Sequence, residues 1–310
     1  MGIFAKTKDR DTLVGIDINA EGIVMAIKTK NGNNGSVRIQ CEYKEVPQGE
    51  QSANVLKDMV SHLNLQNKPT VMLLPTDKYS LLQTKSPAMP KNELRAAARW
   101  KVADLISYPV ESAVVDIFEY PKAGQRGEER MLFVVASHED AVRSKVDSAK
   151  SAHIDLAAID IHELAIRNVV SHLPENKFGV IVLSMSERRG LLVLVKQDEI
   201  YLTRRLDVGY ADLEGNSERV FDDIVLELQR SLDFFESQFS LALPSTLLVY
   251  PPDKFSGEFL LHINSNIPLH VEPLILEKLT DTVVNFSEES QSRCLTAVGA
   301  ALRGPDEVVA

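Results

Sequence analysis

The sequence predicts an α/β protein of two lobes, with a small α+β insert that interrupts the first lobe. The order β-β-β-α-β occurs twice along the chain, and polar or proline-containing stretches mark off a differently patterned region between the two copies. The composition supports this organisation, because 310 residues with 44% hydrophobic and 25% charged side chains can bury two ordinary cores.

The first copy opens with an antiparallel meander and closes with a helix and a strand. Asn31–Gly35 is a strong turn signal between its second and third strands. The helix is predicted from apolar residues that recur on one face, with a serine at its start. The predicted elements are strands at Leu13–Ile18, Gly22–Ile27 and Ser36–Val46, a helix from Ser52 to Leu63, and a strand at Thr70–Pro75.

The insert is predicted over residues 85–158 and combines helices with a hairpin. Its strands are separated by the polar turn Pro121–Glu129. The predicted elements are helices at Lys91–Ile106 and Glu139–Ala152, and strands at Ser112–Tyr120, Arg130–Ala136 and Ile154–Ile161. The first lobe would then comprise residues 1–84 and 159–175.

The second lobe is predicted over residues 176–310 and repeats the opening pattern. Its long amphipathic helix, Ser217–Phe239, is the clearest periodic segment in the chain. The other predicted elements are strands at Phe178–Leu183, Gly190–Val195, Glu199–Arg205, Thr246–Tyr250 and Leu269–Leu274, and helices at Phe255–Ile263 and Arg293–Leu302.

Charge and composition exclude several function classes. A net charge of -10 argues against nucleic acid as the main partner, because phosphate binding requires clustered Lys and Arg. The two cysteines, Cys41 and Cys294, form no disulfide framework. The seven histidines are scattered, and His162 lacks ligand spacing, so no metal site is expected. With no long apolar run and no leader-like N-terminus, we expect a soluble cytoplasmic protein.

Four segments, in order along the chain, resemble the PilM family of type IV pilus assembly proteins and the related cytoplasmic domain of GspL. They are Val14–Ile18, Leu94–Lys101 with Ile106–Pro109, Ser231–Phe235, and Ala297–Gly304. A duplicated β-β-β-α-β unit is also the topology of the actin, sugar kinase and Hsp70 superfamily. The resemblance therefore implies an actin-like (ribonuclease H-like) fold whose two lobes, in active members, clasp a nucleotide.

The resemblance implies a scaffold that binds the cytoplasmic tail of a PilN-like bitopic inner-membrane protein and links it to the assembly ATPase. Such a protein would reach the inner membrane through its partner. The alternatives are an ATP-binding switch or ATPase of the same fold, and a polymer-forming cytoskeletal protein. The hairpin Ser184–Ser186 discriminates the first alternative, because active members carry an acidic residue and a glycine there.

The nucleotide motifs of the family are degraded in this sequence. Asp17, Asn19 and Gly209 are the residual candidates for a nucleotide cleft. Glu21 places negative charge beside one phosphate hairpin, and Pro251–Pro252 removes two backbone donors where an adenosine would be cradled. We therefore expect no ATP, no other cofactor and no enzymatic activity.

A partner site is expected where the insert meets the first lobe. Aromatic anchors and guanidinium groups that hold a carboxylate make such a groove suitable for an extended peptide. The candidate residues are Tyr79, Leu81, Arg95, Arg99, Trp100 and Tyr108. Two interpretations of Trp100 stay open at this point, namely packing against the neighbours of the insert or an exposed interface anchor.

Overall fold

A computed structural model describes residues 12–30, 37–121, 130–213, 217–287 and 290–304. The turn predicted at Asn31–Gly35 and most of the turn at Pro121–Glu129 lie outside these ranges.

The strands are β1 Thr12–Ile18, β2 Ile23–Lys30, β3 Val37–Lys44, β4 Pro69–Leu73, β5 Tyr79–Lys85, β6 Ala113–Glu119, β7 Met131–His138, β8 Asp155–Asp160, β9 Val180–Met185, β10 Gly190–Lys196, β11 Glu199–Leu206, β12 Thr246–Tyr250, β13 His270–Pro273 and β14 Thr282–Phe286. The helices are α1 Ser52–His62, α2 Lys91–Lys101, α3 Glu139–Ser151, α4 His162–Val170, α5 Ser217–Phe239, α6 Gly257–Asn266 and α7 Leu295–Ala301.

Two sheets share one topology. The first has the order β14-β3-β2-β1-β4-β8, and the second has the order β11-β10-β9-β12-β13. In each sheet the first three strands of the repeat pair antiparallel, while the fourth lies parallel to the first and to the fifth. This repeat is the duplicated actin-like α/β fold that the sequence predicts.

The chain divides into two compact units. Unit 1 comprises the described parts of Met1–Pro75, Arg143–Ala165 and Glu277–Ala310, and unit 2 comprises those of Thr76–Val142 and Ile166–Leu276. The first sheet belongs to unit 1. The second sheet belongs to unit 2, as does a three-stranded sheet of order β5-β7-β6.

This division corrects the predicted domain boundaries of 85–158 for the insert and 176–310 for the second lobe. The insert begins earlier, because β5 pairs with β7 along its whole length. It also ends earlier, because Ala149 and Ala152 at the end of α3 pack into the unit 1 core. The end of the chain returns to unit 1, where β14 pairs with β3 and α7 packs on β1 and β2.

Two glycines allow α7 to pack closely, Gly15 against the first sheet and Gly299 against α4. A Cβ atom on Gly15 would meet the Ala297 carbonyl oxygen at 2.0 Å, and one on Gly299 would meet the Ala165 carbonyl oxygen at 1.9 Å. All residues of α7 are buried. The free thiols of Cys41 and Cys294 are also buried in unit 1.

The insert has a small core of its own. Helix α2 packs on β6 through Ala98 and Val102, which meet Val115 and Val134 of the sheet. The helix ends at Lys101 and a 3-10 turn continues to Leu105, so the predicted helix Lys91–Ile106 is shorter than expected. Among the described residues, no helix is both long and apolar enough to cross a bilayer.

Candidate functional site

The hairpin after β1 is closed by its own side chain. The Asn19 carboxamide oxygen accepts hydrogen bonds from the backbone N–H groups of Glu21 and Gly22, at 2.9 and 3.2 Å. The Asn19 N–H in turn donates to the Gly22 carbonyl oxygen at 3.0 Å. A phosphate-binding hairpin needs these N–H groups to point at the ligand. In this hairpin, these N–H groups donate to oxygen atoms of the turn itself.

Acidic and basic side chains pack over the same hairpin. The Glu21 carboxylate lies 3.4 Å from the Arg293 guanidinium, which also stacks over the Tyr43 ring at 4.5 Å. The Tyr43 hydroxyl donates to the Glu21 carbonyl oxygen at 2.5 Å. The negative charge expected at this position is therefore present, but it is paired within unit 1.

Asp17, at the end of β1, is a buried carboxylate held by its own chain. It is 1% exposed, and its Oδ2 accepts a hydrogen bond from the Thr296 hydroxyl at 2.7 Å. The His162 Nε2 lies 3.6 Å from Asp17 Oδ1. Burial raises the pKa of this carboxyl, but the charge and hydrogen bonding of His162, with Thr296 and the charge of Lys145, outweigh that effect and lower the pKa overall.

The corresponding hairpin of the second sheet is also closed. Within it, the Ser186 N–H donates to the Arg189 carbonyl oxygen at 2.8 Å. The segment that begins at Gly209 packs over it, because the Tyr210 N–H donates to the Ser186 carbonyl oxygen at 3.0 Å and the Gly209 N–H donates to Asp212 at 2.8 Å. A Cβ on Gly209 would meet the Glu187 carbonyl oxygen at 2.1 Å.

Asp17, Asn19 and Gly209, the predicted nucleotide-cleft candidates, make their described hydrogen bonds within their own units, while Asp17 Oδ1 is buried and accepts none. The structure places Asp17 and Asn19 in unit 1 and Gly209 in unit 2. In the described part of the chain, no group of three or more His, Cys, Asp or Glu residues is arranged to hold a metal ion.

Three of the six predicted partner-site residues are engaged in packing inside unit 2. Tyr79 is 4% exposed, and the Arg205 guanidinium lies 4.6 Å from its ring and donates to its carbonyl oxygen at 3.1 Å. Arg99 donates to the carbonyl oxygens of Val110 and Glu111, at 2.8 and 2.6 Å. These two side chains therefore stabilise local structure within unit 2.

Tyr108 is the third of these packing residues. Its ring meets the His138 ring edge-on at a centroid distance of 5.2 Å and joins the apolar core of the insert. Burial raises the pKa of its hydroxyl. Tyr108 is therefore partly buried and packs against the core of the insert.

The other three predicted residues reach the surface. Trp100 is 66% exposed on α2, and Leu105, which follows in the 3-10 turn, is 58% exposed. Arg95 is exposed on the same helix, with its guanidinium 3.8 Å from the Asp116 carboxylate of β6. Leu81 is half-buried on β5. We call Arg95, Trp100 and Leu105 the α2 face.

Some residues of these sites were missed from sequence. His162 was considered only as a metal ligand, and Lys145, Thr296 and Arg205 were given no role at these sites. Their partners lie far away along the chain, so no local spacing could reveal them. Leu105 was expected within the helix Lys91–Ile106, but α2 ends at Lys101.

Comparisons with known proteins agree with this description. The profile of the type IV pilus assembly protein PilM matches residues 15–235. The chain is similar to a solved structure described as the PilM–PilN type IV pilus biogenesis complex, with 20% identity, a TM-score of 0.72, and coverage of 94% of this chain and 98% of that one. No curated protein matches the sequence.

A second similar structure is the cytoplasmic domain of EpsL, an inner-membrane component of the type II secretion system of Vibrio cholerae. The identity is 11%, the TM-score is 0.50, and the alignment covers 89% of this chain and 86% of that one. The topology defines a duplicated actin-like protein with closed hairpins. The chain belongs to the PilM family of type IV pilus assembly proteins.

Proposed function

We propose that this protein is a non-catalytic scaffold of a type IV pilus assembly machine. It binds the cytoplasmic tail of a PilN-like inner-membrane protein and links that protein to the assembly ATPase. The protein would work in the cytoplasm and reach the inner membrane through this partner. Membership of the PilM family supports the proposal, as does the similarity to a PilM solved together with PilN. Within the family we propose the MshI branch, which serves the mannose-sensitive haemagglutinin pilus.

The exposure of Trp100 is the observation that carries the proposal. The side chain is 66% exposed, although Ala98 on the same helix and Val102 just after it are fully buried. This exposure supports the interpretation of Trp100 as an interface anchor. A large exposed aromatic side chain on a well-packed helix is a common interface anchor.

The surroundings of Trp100 suit an apolar peptide with a charged group. Leu105, in the 3-10 turn after α2, is a second exposed apolar side chain, and Arg95, five positions before Trp100, contributes an exposed guanidinium. Its ion pair with Asp116 is long and exposed, so a carboxylate of the partner can compete for the guanidinium at little cost. Arg99 holds α2 to the segment that leads into β6, because its guanidinium donates to the Val110 carbonyl oxygen.

The test is a binding titration with a synthetic peptide of the PilN-like cytoplasmic tail, read by fluorescence anisotropy. We expect Trp100→Ala to weaken binding at least tenfold, which corresponds to about 1.4 kcal/mol. The matched control is Phe178→Ala, because Phe178 is an aromatic residue of unit 2 with 67% exposure. Equal affinities for wild type, Trp100→Ala and Phe178→Ala would remove the α2 face from the proposal.

The structural role of neighbouring residues gives a second control. Tyr79→Ala should lower the melting temperature, because Tyr79 is buried against Arg205, whereas Trp100→Ala should leave it unchanged. If Trp100→Ala loses binding and also unfolds, Trp100 is required for the stability of the fold rather than for contact with the peptide. An ATP-binding switch, the rival function, is tested separately below.

A further inference from the structure

The buried carboxylate of Asp17 requires an explanation. An ionised side chain loses its hydration on burial, so proteins pair it or let it bind a metal ion. In nucleotide-binding members of this fold class, a carboxylate in the opening strand organises the metal. In this chain the carboxylate survives, while the N–H groups of Asn19, Glu21, Gly22 and Ser186 in the two hairpins donate to acceptors within the chain.

The neighbours of Asp17 come from three separate elements of unit 1. Thr296 lies in α7, His162 is the first residue of α4, and Lys145 lies in α3. Thr296 donates a 2.7 Å hydrogen bond, and the His162 ring nitrogen lies 3.6 Å from the other carboxylate oxygen. Lys145 is only 7% exposed, which is rare for a lysine that has no anionic neighbour.

The charges of Lys145 and Asp17 act on each other's pKa. Burial lowers the pKa of the Lys145 ammonium, and the Asp17 carboxylate opposes that shift. In the reverse direction, Lys145 is one of the groups that lower the pKa of Asp17. The groups that contact the carboxylate are Thr296 and His162, and the buried Lys145 adds a positive charge to the same region of unit 1.

We propose that Asp17 has exchanged the metal-bound nucleotide of its fold class for Thr296, His162 and Lys145, and now fastens α3, α4 and α7 to β1. Asp17 Oδ1 is buried and accepts no hydrogen bond, and the His162 ring nitrogen lies 3.6 Å from it, so a metal ion would have to displace neighbouring side chains to reach it. A further ion pair holds the end of α7 to β8, because the Arg303 guanidinium pairs with the Asp160 carboxylate. This inference concerns unit 1 alone and does not depend on the proposed partner.

The first test compares the melting temperatures of Asp17→Asn, Lys145→Met and the double variant in the full chain. Each single variant should melt roughly 8 °C or more below wild type, because it leaves a buried charge uncompensated. The double variant should lose less than the sum of the single losses. The matched control is Lys150→Met on the same helix, whose side chain is 74% exposed.

Two outcomes would overturn the proposal. One is a Lys145→Met variant that melts like Lys150→Met, and the other is a double variant whose loss equals the sum of the single losses. If the single variants do not fold, Thr296→Val and Thr296→Ser replace them, since only the second keeps the hydroxyl that donates to Asp17. Thr296→Val should melt below Thr296→Ser, and equal melting temperatures would overturn the proposal.

The second test uses 5 mM Mg-ATP and, separately, 1 mM Mn²⁺ as probes of the wild-type chain. We expect neither to raise the melting temperature. A dissociation constant of about 100 μM for Mg-ATP would stabilise the chain by about 2 kcal/mol at this concentration, which a melting curve detects. A rise that Asp17→Asn abolishes would overturn the proposal and would favour the rival ATP-binding function. The scaffold proposal is tested independently by the peptide titration.

Discussion

Asp17 and Trp100 lie in environments opposite to those that their side chains prefer. The aspartate is 1% exposed and the tryptophan is 66% exposed. The environment of Asp17 is explained inside unit 1, because a hydroxyl, an imidazole and an ammonium compensate its charge. Among the residues that the structure describes, no aromatic contact or hydrogen bond engages the Trp100 ring. Asp17 is held by contacts within unit 1, whereas the exposure of Trp100 is the feature on which the proposed partner site rests.

The largest effect should come from the packing that surrounds Asp17. Gly15→Ala would place a Cβ 2.0 Å from the Ala297 carbonyl oxygen, so α7 could not stay in contact with β1. We expect a loss of about 4 kcal/mol or more in the free energy of unfolding, measured by denaturant titration. Gly257→Ala, which has no neighbour within 4 Å, is the control and should change stability by no more than about 0.5 kcal/mol. A small effect of Gly15→Ala would contradict the close packing of α7.

A smaller, pH-dependent effect is expected from the buried Tyr120 beside Phe133 and Phe239. Burial raises the pKa of Tyr120 to about 12. Between pH 10 and 12 the folded chain therefore binds more protons here than the unfolded chain, so stability falls as pH rises. Tyr120→Phe should remove up to about 2–3 kcal/mol of that loss. Identical stability profiles for wild type and Tyr120→Phe above pH 10 would show that the hydroxyl is not buried.

The smallest of these effects concerns the assignment of Tyr79 to the core rather than to the α2 face. Arg205→Met removes the guanidinium from the Tyr79 ring and from its carbonyl oxygen, so we expect a loss of about 1–2 kcal/mol. Arg204→Met, the neighbouring control, breaks only a partly exposed ion pair with Glu227 and should cost about 0–1 kcal/mol. Equal losses would mean that Arg205 does not hold Tyr79.

Local patterns predicted most of the individual elements. Thr246–Tyr250 and the long helix Ser217–Phe239 match the structure residue for residue, because both carry strong apolar patterns with clear ends. Strands β5 and β14 were missed. β5 reads as a mixed polar segment, and β14 is an edge strand on which Val283 and Asn285 face solvent. Such short, half-exposed strands are defined by their pairing partners rather than by their own residues.

Contacts between distant residues could not be predicted. Asp17 and Asn19 were chosen for a family role, but the sequence gives no sign that Thr296 would reach Asp17 across 279 positions. The same applies to Tyr79, whose burial depends on Arg205, 126 positions away. Trp100 was predicted better, because its position off the Ala98 and Val102 stripe already placed it away from the insert core.

We propose above that the α2 face recruits the chain to a membrane partner. The most direct measurement is copurification of the tagged full chain from cells, with the bound membrane proteins identified by mass spectrometry. We predict that wild type and Phe178→Ala recover a PilN-like bitopic protein and that Trp100→Ala does not. Recovery of that protein by all three variants, or by none of them, would contradict the claim.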